Sequence, residues 1–295
     1  MTNQVGRIIK NYNGYYYVET KGRELFTCKV KGKLKQERFS MVTGDYVEFE
    51  TKENEGMITA ILPRKNFLQR PLMANVDVAV VTFALINPDF NSLLMDKLLA
   101  LTEMAGIPTV IVLNKKDLAT TQQLSRLQKI YTQIGYQVIL LSAVKNEGVE
   151  QLRQIITGKV AVFAGPSGVG KSTLLNCLDS NLHLNTGDVS KKIGRGKHTT
   201  RFAQLLPFCG GFIADTPGFG NINLEEMVMD SLERGFREFA ALAPGCKFTG
   251  CTHIHEPGCA VKAALEDGSI SASRYASYVT MFKELALKKE RNLKK

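Results

Sequence analysis

The stretch from Gly165 to Thr173 restricts the fold of this chain more than any other part of its sequence. It matches the pattern G-x-x-x-x-G-K-[ST], in which a glycine-rich loop joins a buried strand to a helix. Apolar residues 160–164 precede it, and an apolar helical stretch, 173–178, follows it. The glycines let backbone N–H groups turn towards phosphate oxygens, and the helix N-terminus adds partial positive charge. The sequence therefore predicts a phosphate-binding loop that consists of Gly165, Pro166, Ser167, Gly168, Val169, Gly170, Lys171, Ser172 and Thr173.

The surroundings of this loop predict an α/β domain. Short apolar stretches alternate with helical patterns that end at Gly106 and Gly135. Apolar strands separated by helices are typical of a doubly wound, mostly parallel sheet. The predicted strands are 76–83, 109–113, 137–141, 159–164 and 211–214, and the predicted helices between them include 93–105 and 122–134.

A second motif, made of polar residues, follows the strand 109–113 directly. This loop consists of Asn114, Lys115, Lys116 and Asp117, at the edge of the sheet where α/β proteins bind ligands. The Asp117 carboxylate can accept hydrogen bonds from N1–H and the 2-amino group of guanine, and adenine offers neither donor. Asn114 is expected to hold the base edge, and the stem of Lys115 to cover the ring face. An ATPase or kinase is disfavoured, because Asp117 would then be left unpaired.

Two further segments are predicted to complete the nucleotide site. Ser142 and Ala143 end the next strand, where a backbone N–H is expected to reach O6 of guanine. Lys171 is expected to bridge the β- and γ-phosphates, which makes it a candidate catalytic residue, and the Ser172 hydroxyl to bind Mg²⁺. Asp215 ends another strand and suits the second shell of that Mg²⁺ site.

The residues near the γ-phosphate are predicted from their positions around Asp215. The Gly218 amide suits the γ-phosphate, and either Thr199 or Thr200 is expected to complete the Mg²⁺ site. Many GTPases orient the attacking water with a Gln just after Asp-x-x-Gly. This chain has Phe219 there, so intrinsic hydrolysis is expected to be slow. His198 is the best candidate for orienting the water, with a solvent-exposed or RNA-contacting role as the alternative.

Residues 1–66 and the C-terminal segment differ from this domain. Five short strands with glycine turns are predicted in the first 66 residues, which suggests a small barrel of the OB type. Aromatic residues beside Lys and Arg suit RNA binding, although Tyr15, Tyr17 and Phe49 are equally consistent with a barrel core. Residues 63–73 are expected to be a linker. Residues 224–242 and 274–287 are predicted to be helical.

Three cysteines and a histidine form a short cluster near the C-terminus. The pattern Cys246-x4-Cys251-x-His253-x5-Cys259 suits a structural Zn²⁺ ion, because four such ligands close a tetrahedral site. His255 is a competing ligand. Unrelated buried cysteines are the alternative, which the glycines around the cluster disfavour because they suit tight turns.

The distribution of charge indicates a polyanionic partner. The net charge is +10, and residues 1–66 and 246–295 each contribute +4. Solubility alone is the alternative explanation.

No apolar stretch approaches the length of a membrane span, and the first residues lack an apolar signal region, so we expect a cytoplasmic protein with reduced cysteines.

The order of the motifs carries a resemblance to a known family. The base loop at 114–117 and Ser142-Ala143 precede the phosphate loop, the threonines and Asp215, whereas small GTPases begin with the phosphate loop. With the barrel and the Cys/His cluster, the chain resembles the bacterial ribosome small subunit-dependent GTPase A family over nearly its whole length. The resemblance favours His253 over His255 as the zinc ligand.

This resemblance implies a fold and a function. It implies an N-terminal OB-fold barrel (1–66), a circularly permuted P-loop GTPase domain (67–222) and a helical zinc-binding domain (223–295). It also implies hydrolysis of GTP to GDP, stimulated by the 30S subunit, in late maturation of that subunit, with 16S rRNA as a partner and the protein as a monomer. The alternative function is an RNA-binding scaffold whose GTPase domain holds nucleotide and is only weakly catalytic.

Overall fold

A computed structural model of the chain describes residues 2–30, 41–52, 55–69, 71–182, 203–215 and 229–293. The strands of these residues are β1 (Thr2–Tyr12), β2 (Tyr15–Thr20), β3 (Leu25–Val30), β4 (Tyr46–Lys52), β5 (Glu55–Ile61), β6 (Phe67–Gln69), β7 (Leu72–Ala74), β8 (Val78–Ala84), β9 (Thr109–Asn114), β10 (Gln137–Leu140), β11 (Val160–Ala164), β12 (Gln204–Phe208) and β13 (Gly211–Asp215). Their α-helices are α1 (Ser92–Met104), α2 (Thr121–Gln133), α3 (Val149–Ile156), α4 (Lys171–Leu178), α5 (Arg237–Leu242), α6 (Ala260–Glu266) and α7 (Ala272–Leu293).

The first five strands form a closed barrel. They pair in the order β1-β2-β3-β5-β4, and β4 pairs again with β1, so no edge is left open. Alternating residues of each strand point inward and form an apolar core around Ile8, Val18 and Phe49. Phe49 is therefore a core residue, whereas 39 % of Tyr15 is exposed and Tyr17 is half-buried. The predicted OB-type barrel is confirmed.

A six-stranded sheet forms the centre of the molecule. Its order is β10-β9-β8-β11-β13-β12, and every pair is parallel except β12 with β13. All residues of β8, β9 and β11 are buried, as expected for strands covered on both faces. Helices α3 and α4 pack on one face, and α1, α2 and the C-terminal segment on the other. The predicted doubly wound α/β architecture is confirmed.

Three strands were not predicted from the sequence. The stretch expected to be a linker, 63–73, contains β6 and most of β7, which form a small antiparallel hairpin. Strand β12 extends the central sheet and also pairs with β1 of the barrel through Lys10 and Gln204. The barrel and the sheet are therefore joined through backbone pairing as well as through the chain.

The C-terminal segment packs on α1 and α2 and shares their core. The helix predicted for 224–242 is divided: residues 224–228 lie outside the described residues, and the rest forms a 3₁₀ helix, Met229–Gly235, followed by α5. Phe236 separates the two with an extended backbone. Gly235 lies so close to α1 that a Cβ atom there would come within 2.8 Å of Ala100 Cβ. This close approach requires a residue without a side chain at that point.

Helix α7 contains the predicted helix 274–287 and extends it at both ends. Its buried residues Tyr278, Met281 and Leu285 join Leu98 of α1 and Phe239 of α5 in one apolar cluster. In the described part of the chain, none of the helices combines the length and apolar character needed to cross a bilayer.

Candidate functional site

The phosphate loop lies at the carboxyl end of β11 and leads directly into α4. Gly165 has a φ of 137°, and a Cβ atom there would lie 2.0 Å from the carbonyl oxygen of Thr82 in β8. Gly170, at the start of α4, has a φ of 89° and would place a Cβ atom 2.5 Å from Asn114 Nδ2. These two positions need glycine because of both their backbone conformation and their close packing. The loop is therefore held tightly between β8 and the loop after β9.

The Lys171 side chain is turned towards the backbone of its own loop. Its ammonium group donates hydrogen bonds of 2.7 Å to the carbonyl oxygens of Gly165 and Pro166. Burial lowers the pKa of Lys171 to about 8, so the group remains mostly protonated at neutral pH. Ser172 beside it is buried. The ammonium group therefore lies inside the loop, where a bound phosphate group would contact it.

Asn114 connects the base loop to two other segments. Its Nδ2 donates to the carbonyl oxygen of Val169 at 2.8 Å, and its Oδ1 accepts from the backbone N–H of Ala143 at 3.0 Å. Lys115 donates to the carbonyl oxygen of Gly168 at 2.7 Å and to that of Asn87. The structure therefore brings the three predicted motifs into direct contact. The Ala143 N–H, predicted to reach guanine O6, is engaged with Asn114 here.

Asp117 and Lys116 differ in their surroundings. Asp117 is exposed, and a hydrogen bond from Ser142 is the main cause that lowers the pKa of its carboxyl group. The group is therefore ionised and oriented, as an acceptor for two N–H donors must be. Lys116 forms an ion pair of 2.9 Å with Glu147 on the surface.

The remaining predicted nucleotide contacts follow β12 and β13. Asp215 is the last residue of β13, at the same edge of the sheet as the phosphate loop, and its backbone pairs with Gln204. His198, Thr199, Thr200 and Gly218 lie outside the described residues.

The four predicted zinc ligands lie together. One ligand atom from each of Cys246, Cys251, His253 and Cys259 lies within 4.8 Å of the others, and all but Cys246 are buried. The Sγ atoms of Cys246 and Cys259 are 3.9 Å apart, and His253 Nδ1 is 3.4 Å from Cys259 Sγ. A tetrahedral site with Zn–S bonds of about 2.3 Å has ligand–ligand distances of about 3.8 Å. The geometry therefore fits a zinc ion, and His255 is exposed and outside the cluster.

Glu233 orients the histidine of this cluster. Its Oε2 lies 3.1 Å from His253 Nε2, which leaves Nδ1 directed at the cysteines. The Tyr275 hydroxyl donates to the carbonyl oxygen of His253 at 2.8 Å. A carboxylate that holds the second nitrogen of a metal-bound histidine fixes its orientation and strengthens its bond to the metal. Sequence reasoning missed Glu233, because it precedes the first cysteine by 13 residues and no spacing connects them.

Comparisons with known proteins agree with these observations. Residues 61–225 match the family described as RsgA GTPase, and residues 5–58 match the RsgA N-terminal domain. Proteins named small ribosomal subunit biogenesis GTPase RsgA are similar over nearly the whole chain. The one from Caldanaerobacter subterraneus subsp. tengcongensis is 41 % identical, with 98 % of each chain covered, and the one from Geobacillus sp. (strain WCH70) is 44 % identical, with 97 % of this chain and 99 % of the relative covered.

Solved structures show the same similarity. YjeQ from Thermotoga maritima superposes with a TM-score of 0.83 at 35 % identity, over 97 % of this chain and 99 % of YjeQ. YloQ, described as a circularly permuted GTPase, gives a TM-score of 0.81 at 31 % identity, over 97 % of this chain and 96 % of YloQ. The fold is thus a circularly permuted GTPase domain with an OB-like barrel. The chain belongs to the RsgA GTPase family.

Proposed function

We propose that this chain hydrolyses GTP to GDP in the late maturation of the small (30S) ribosomal subunit, and that the subunit stimulates hydrolysis. The similarity to relatives named small ribosomal subunit biogenesis GTPase, over nearly the full length of both chains, carries this proposal. As a member of the RsgA GTPase family, the chain is a GTP-hydrolysing enzyme. The finer statements about stimulation, RNA contacts and residue roles depend on the site.

Guanine recognition is assigned to the base loop. Asp117 is ionised and exposed, so its carboxylate can accept from N1–H and the 2-amino group in addition to Ser142, while adenine would offer it neither donor. Asn114 supports this selection by holding the phosphate loop and the Ala143 segment at fixed positions. Lys115 covers the ring face with its stem while its ammonium group holds Gly168.

Phosphate binding is assigned to the loop from Gly165 to Thr173. A bound triphosphate competes with the carbonyl oxygens of Gly165 and Pro166 for the Lys171 ammonium group. Ser172 and one of the two predicted threonines are the residues that would hold Mg²⁺, with Asp215 behind them. Mg²⁺ held there would neutralise charge on the phosphates, and these residues would supply the fixed donors around them.

The attacking water must also be oriented by a residue of the site. Phe219 cannot hydrogen-bond water, so we assign this role to His198, which directly precedes the two threonines predicted to contact Mg²⁺. The variant His198→Ala should keep GTP and subunit binding and lose most of the stimulated turnover. Full stimulated turnover in this variant would move the role to the ribosome or to a backbone amide.

The Cys/His cluster is assigned a structural zinc ion. Cys246, Cys251, His253 and Cys259 fill all four positions of a tetrahedral site, so none remains for a substrate. The ion would hold the loop between α5 and α6 closed against α7, where Tyr275 contacts it.

The barrel is assigned the contact with 16S rRNA. Tyr12 and Tyr15 are paired opposite each other on β1 and β2, with 51 % and 39 % of their surfaces exposed. Lys10 lies over Tyr12 and Tyr17 at 5.6 and 5.7 Å, and Lys29 lies 5.3 Å from Tyr15. Exposed rings interleaved with ammonium groups suit unpaired bases and the phosphates between them.

We expect the protein to act in the cytoplasm as a monomer.

Phosphate release measured over many turnovers, with and without purified 30S subunits, tests this function. The enzyme should turn over GTP faster with subunits, whereas the alternative scaffold would bind subunits without faster turnover. The double variant Tyr12→Ala/Tyr15→Ala should weaken subunit binding at least tenfold, since each stacked base contributes about 1–3 kcal/mol. Met57→Ala, which removes an apolar side chain exposed elsewhere on the barrel, is the matched control.

A further inference from the structure

The hairpin formed by β12 and β13 is held by the barrel at its first residue and at its turn. At the start, the Thr43 hydroxyl donates a 2.6 Å hydrogen bond to the carbonyl oxygen of Ala203. Both residues are buried, so this bond is shielded from water. The backbone of β1 pairs with the next residue, Gln204, through Lys10. The barrel therefore fixes the point at which the hairpin begins.

Arg23 of the barrel holds the other end of the same hairpin. Its Nη2 donates to the carbonyl oxygen of Gly210, in the turn between β12 and β13, at 2.9 Å. Its guanidinium also lies 4.9 Å from the centre of the Phe212 ring, and Arg7 lies 5.8 Å from that ring. Glu19 keeps Arg23 in place with an ion pair of 2.8 Å. Four residues of one barrel thus contact a hairpin of the other domain.

The position of this hairpin in the chain gives these contacts their significance. Ala203 comes three residues after Thr200, and β13 ends at Asp215. The two strands therefore lie only a few residues along the chain from Thr200 and Gly218, where we predict contacts to Mg²⁺ and the γ-phosphate. Strand β13 also pairs with β11, which leads into the phosphate loop.

We propose that the β12–β13 hairpin couples RNA binding on the barrel to the nucleotide site, with Thr43 and Arg23 as its positioning residues. This inference rests on the proposed function. Because the barrel holds the hairpin at both ends, a shift of the barrel should shift the hairpin. The nucleotide should act on the same hairpin through the ends of its two strands, next to Ala203 and Asp215. Two ligands that act on one element must change each other's affinity by the same factor. Because these hydrogen bonds and ring contacts hold the hairpin at fixed distances from the barrel, they should transmit a change in its position better than a flexible linker would.

Subunit affinity measured in two nucleotide states tests the coupling in the full-length protein. The dissociation constant for purified 30S subunits is measured with GDP and with the non-hydrolysable analogue GMPPNP, together with turnover at saturating subunits. Thr43→Val removes the hydroxyl and keeps the shape, and Arg23→Ala removes both contacts to the hairpin. Thr43→Ser keeps the hydroxyl, and Lys21→Ala removes a positive charge from the same turn, so these two are the matched controls.

In Thr43→Val and Arg23→Ala, we expect the ratio of the dissociation constants measured with GDP and with GMPPNP to move towards one by roughly 2- to 30-fold. This is the usual range for residues that modulate coupling. Stimulated turnover should fall with it, while unstimulated turnover and GDP-state affinity stay unchanged. The two control variants, Thr43→Ser and Lys21→Ala, should retain the wild-type ratio.

The other outcomes overturn the inference. A wild-type ratio in both test variants shows that the hairpin does not carry the coupling. Loss of subunit binding already in the GDP state shows that the two residues only support the barrel. A wild-type protein that subunits neither bind nor stimulate refutes the proposed function itself, and the coupling with it.

Discussion

Arg274 should be costly to remove from this protein, because its charge is buried and holds three helices together. It is 1 % exposed, and it connects α7 to Asp96 of α1 at 2.7 Å and to Glu238 of α5 at 2.7 Å. Asp96 is fully buried, and its Oδ2 has no hydrogen-bond partner among the described residues. In the variant Arg274→Met, the side-chain volume is largely kept, but Asp96 and Glu238 lose the positive charge between them.

The expected cost follows from burial. Removing one partner of a buried ion pair costs about 3–5 kcal/mol, because the other charge remains without compensation. Arg237 provides the comparison, since it joins α5 to Glu103 of the same helix α1, but 33 % of its side chain is exposed. An ion pair with that exposure contributes only about 0–1 kcal/mol. Arg274→Met should therefore lower the free energy of unfolding by at least about 2 kcal/mol more than Arg237→Met.

Urea denaturation followed by far-UV circular dichroism, with zinc present throughout, measures this difference. Burial raises the pKa of Asp96, and Arg274 opposes that rise, so the variant should have a still higher pKa at this carboxyl group. A group with a raised pKa in the folded state stabilises below its unfolded pKa, and this contribution is lost as pH rises through the folded value. The cost of Arg274→Met should therefore be smaller at acidic pH than at alkaline pH. Equal costs for the two arginine variants, or a cost that is independent of pH, would refute this reasoning.

Three further substitutions test the nucleotide and zinc sites. Gly165→Ala should abolish GTP binding in a titration with fluorescent nucleotide, because its Cβ would lie 2.0 Å from the Thr82 carbonyl oxygen; binding equal to wild type would contradict the described packing. Asp117→Asn should weaken GTP binding and admit xanthosine triphosphate, whose 2-oxo group can accept from the new amide; unchanged discrimination between GTP and ATP counts against the assignment. Glu233→Gln should weaken zinc binding about 10- to 100-fold in competition with a chelator, while the wild type retains about one zinc per chain; purified wild type without zinc would remove the basis of this expectation.

The parts of the fold that were predicted correctly depend on local spacing. The phosphate loop and the Cys/His cluster each lie within 14 or fewer consecutive residues, so their spacing can be recognised without knowledge of the fold. The contact between Asn114 and Val169 joins residues 55 positions apart. It could be expected only as a consequence of parallel strands, whose carboxyl ends meet at one edge of a sheet.

The parts that were missed depend on long-range packing. Strand β12 contains Pro207 and has β13 as its main partner, and proline at such a position masks the strand pattern. The sequence predicts a helix that begins at Arg274 but does not indicate that Arg274 is buried, since arginine is seldom buried without a partner. Its burial depends on Asp96 and Glu238, which come from two other helices and which no spacing in the sequence connects to it.

The shared apolar cluster limits where this chain can be divided for expression in pieces. Leu98 and Tyr131, which precede residue 222, lie in one cluster with Phe239, Tyr278 and Met281, which follow it. A fragment that stops at 222 would expose the apolar sides of α1 and α2 to water, which favours aggregation. Residues 1–66 instead enclose a separate cluster around Phe49, although a cut after them uncovers Ile9, which packs against the central cluster, and breaks the buried Thr43–Ala203 hydrogen bond. The segment after residue 222 should therefore stay with the GTPase domain in any truncated form, and the barrel is the more separable part, even though the sequence motifs suggest three units.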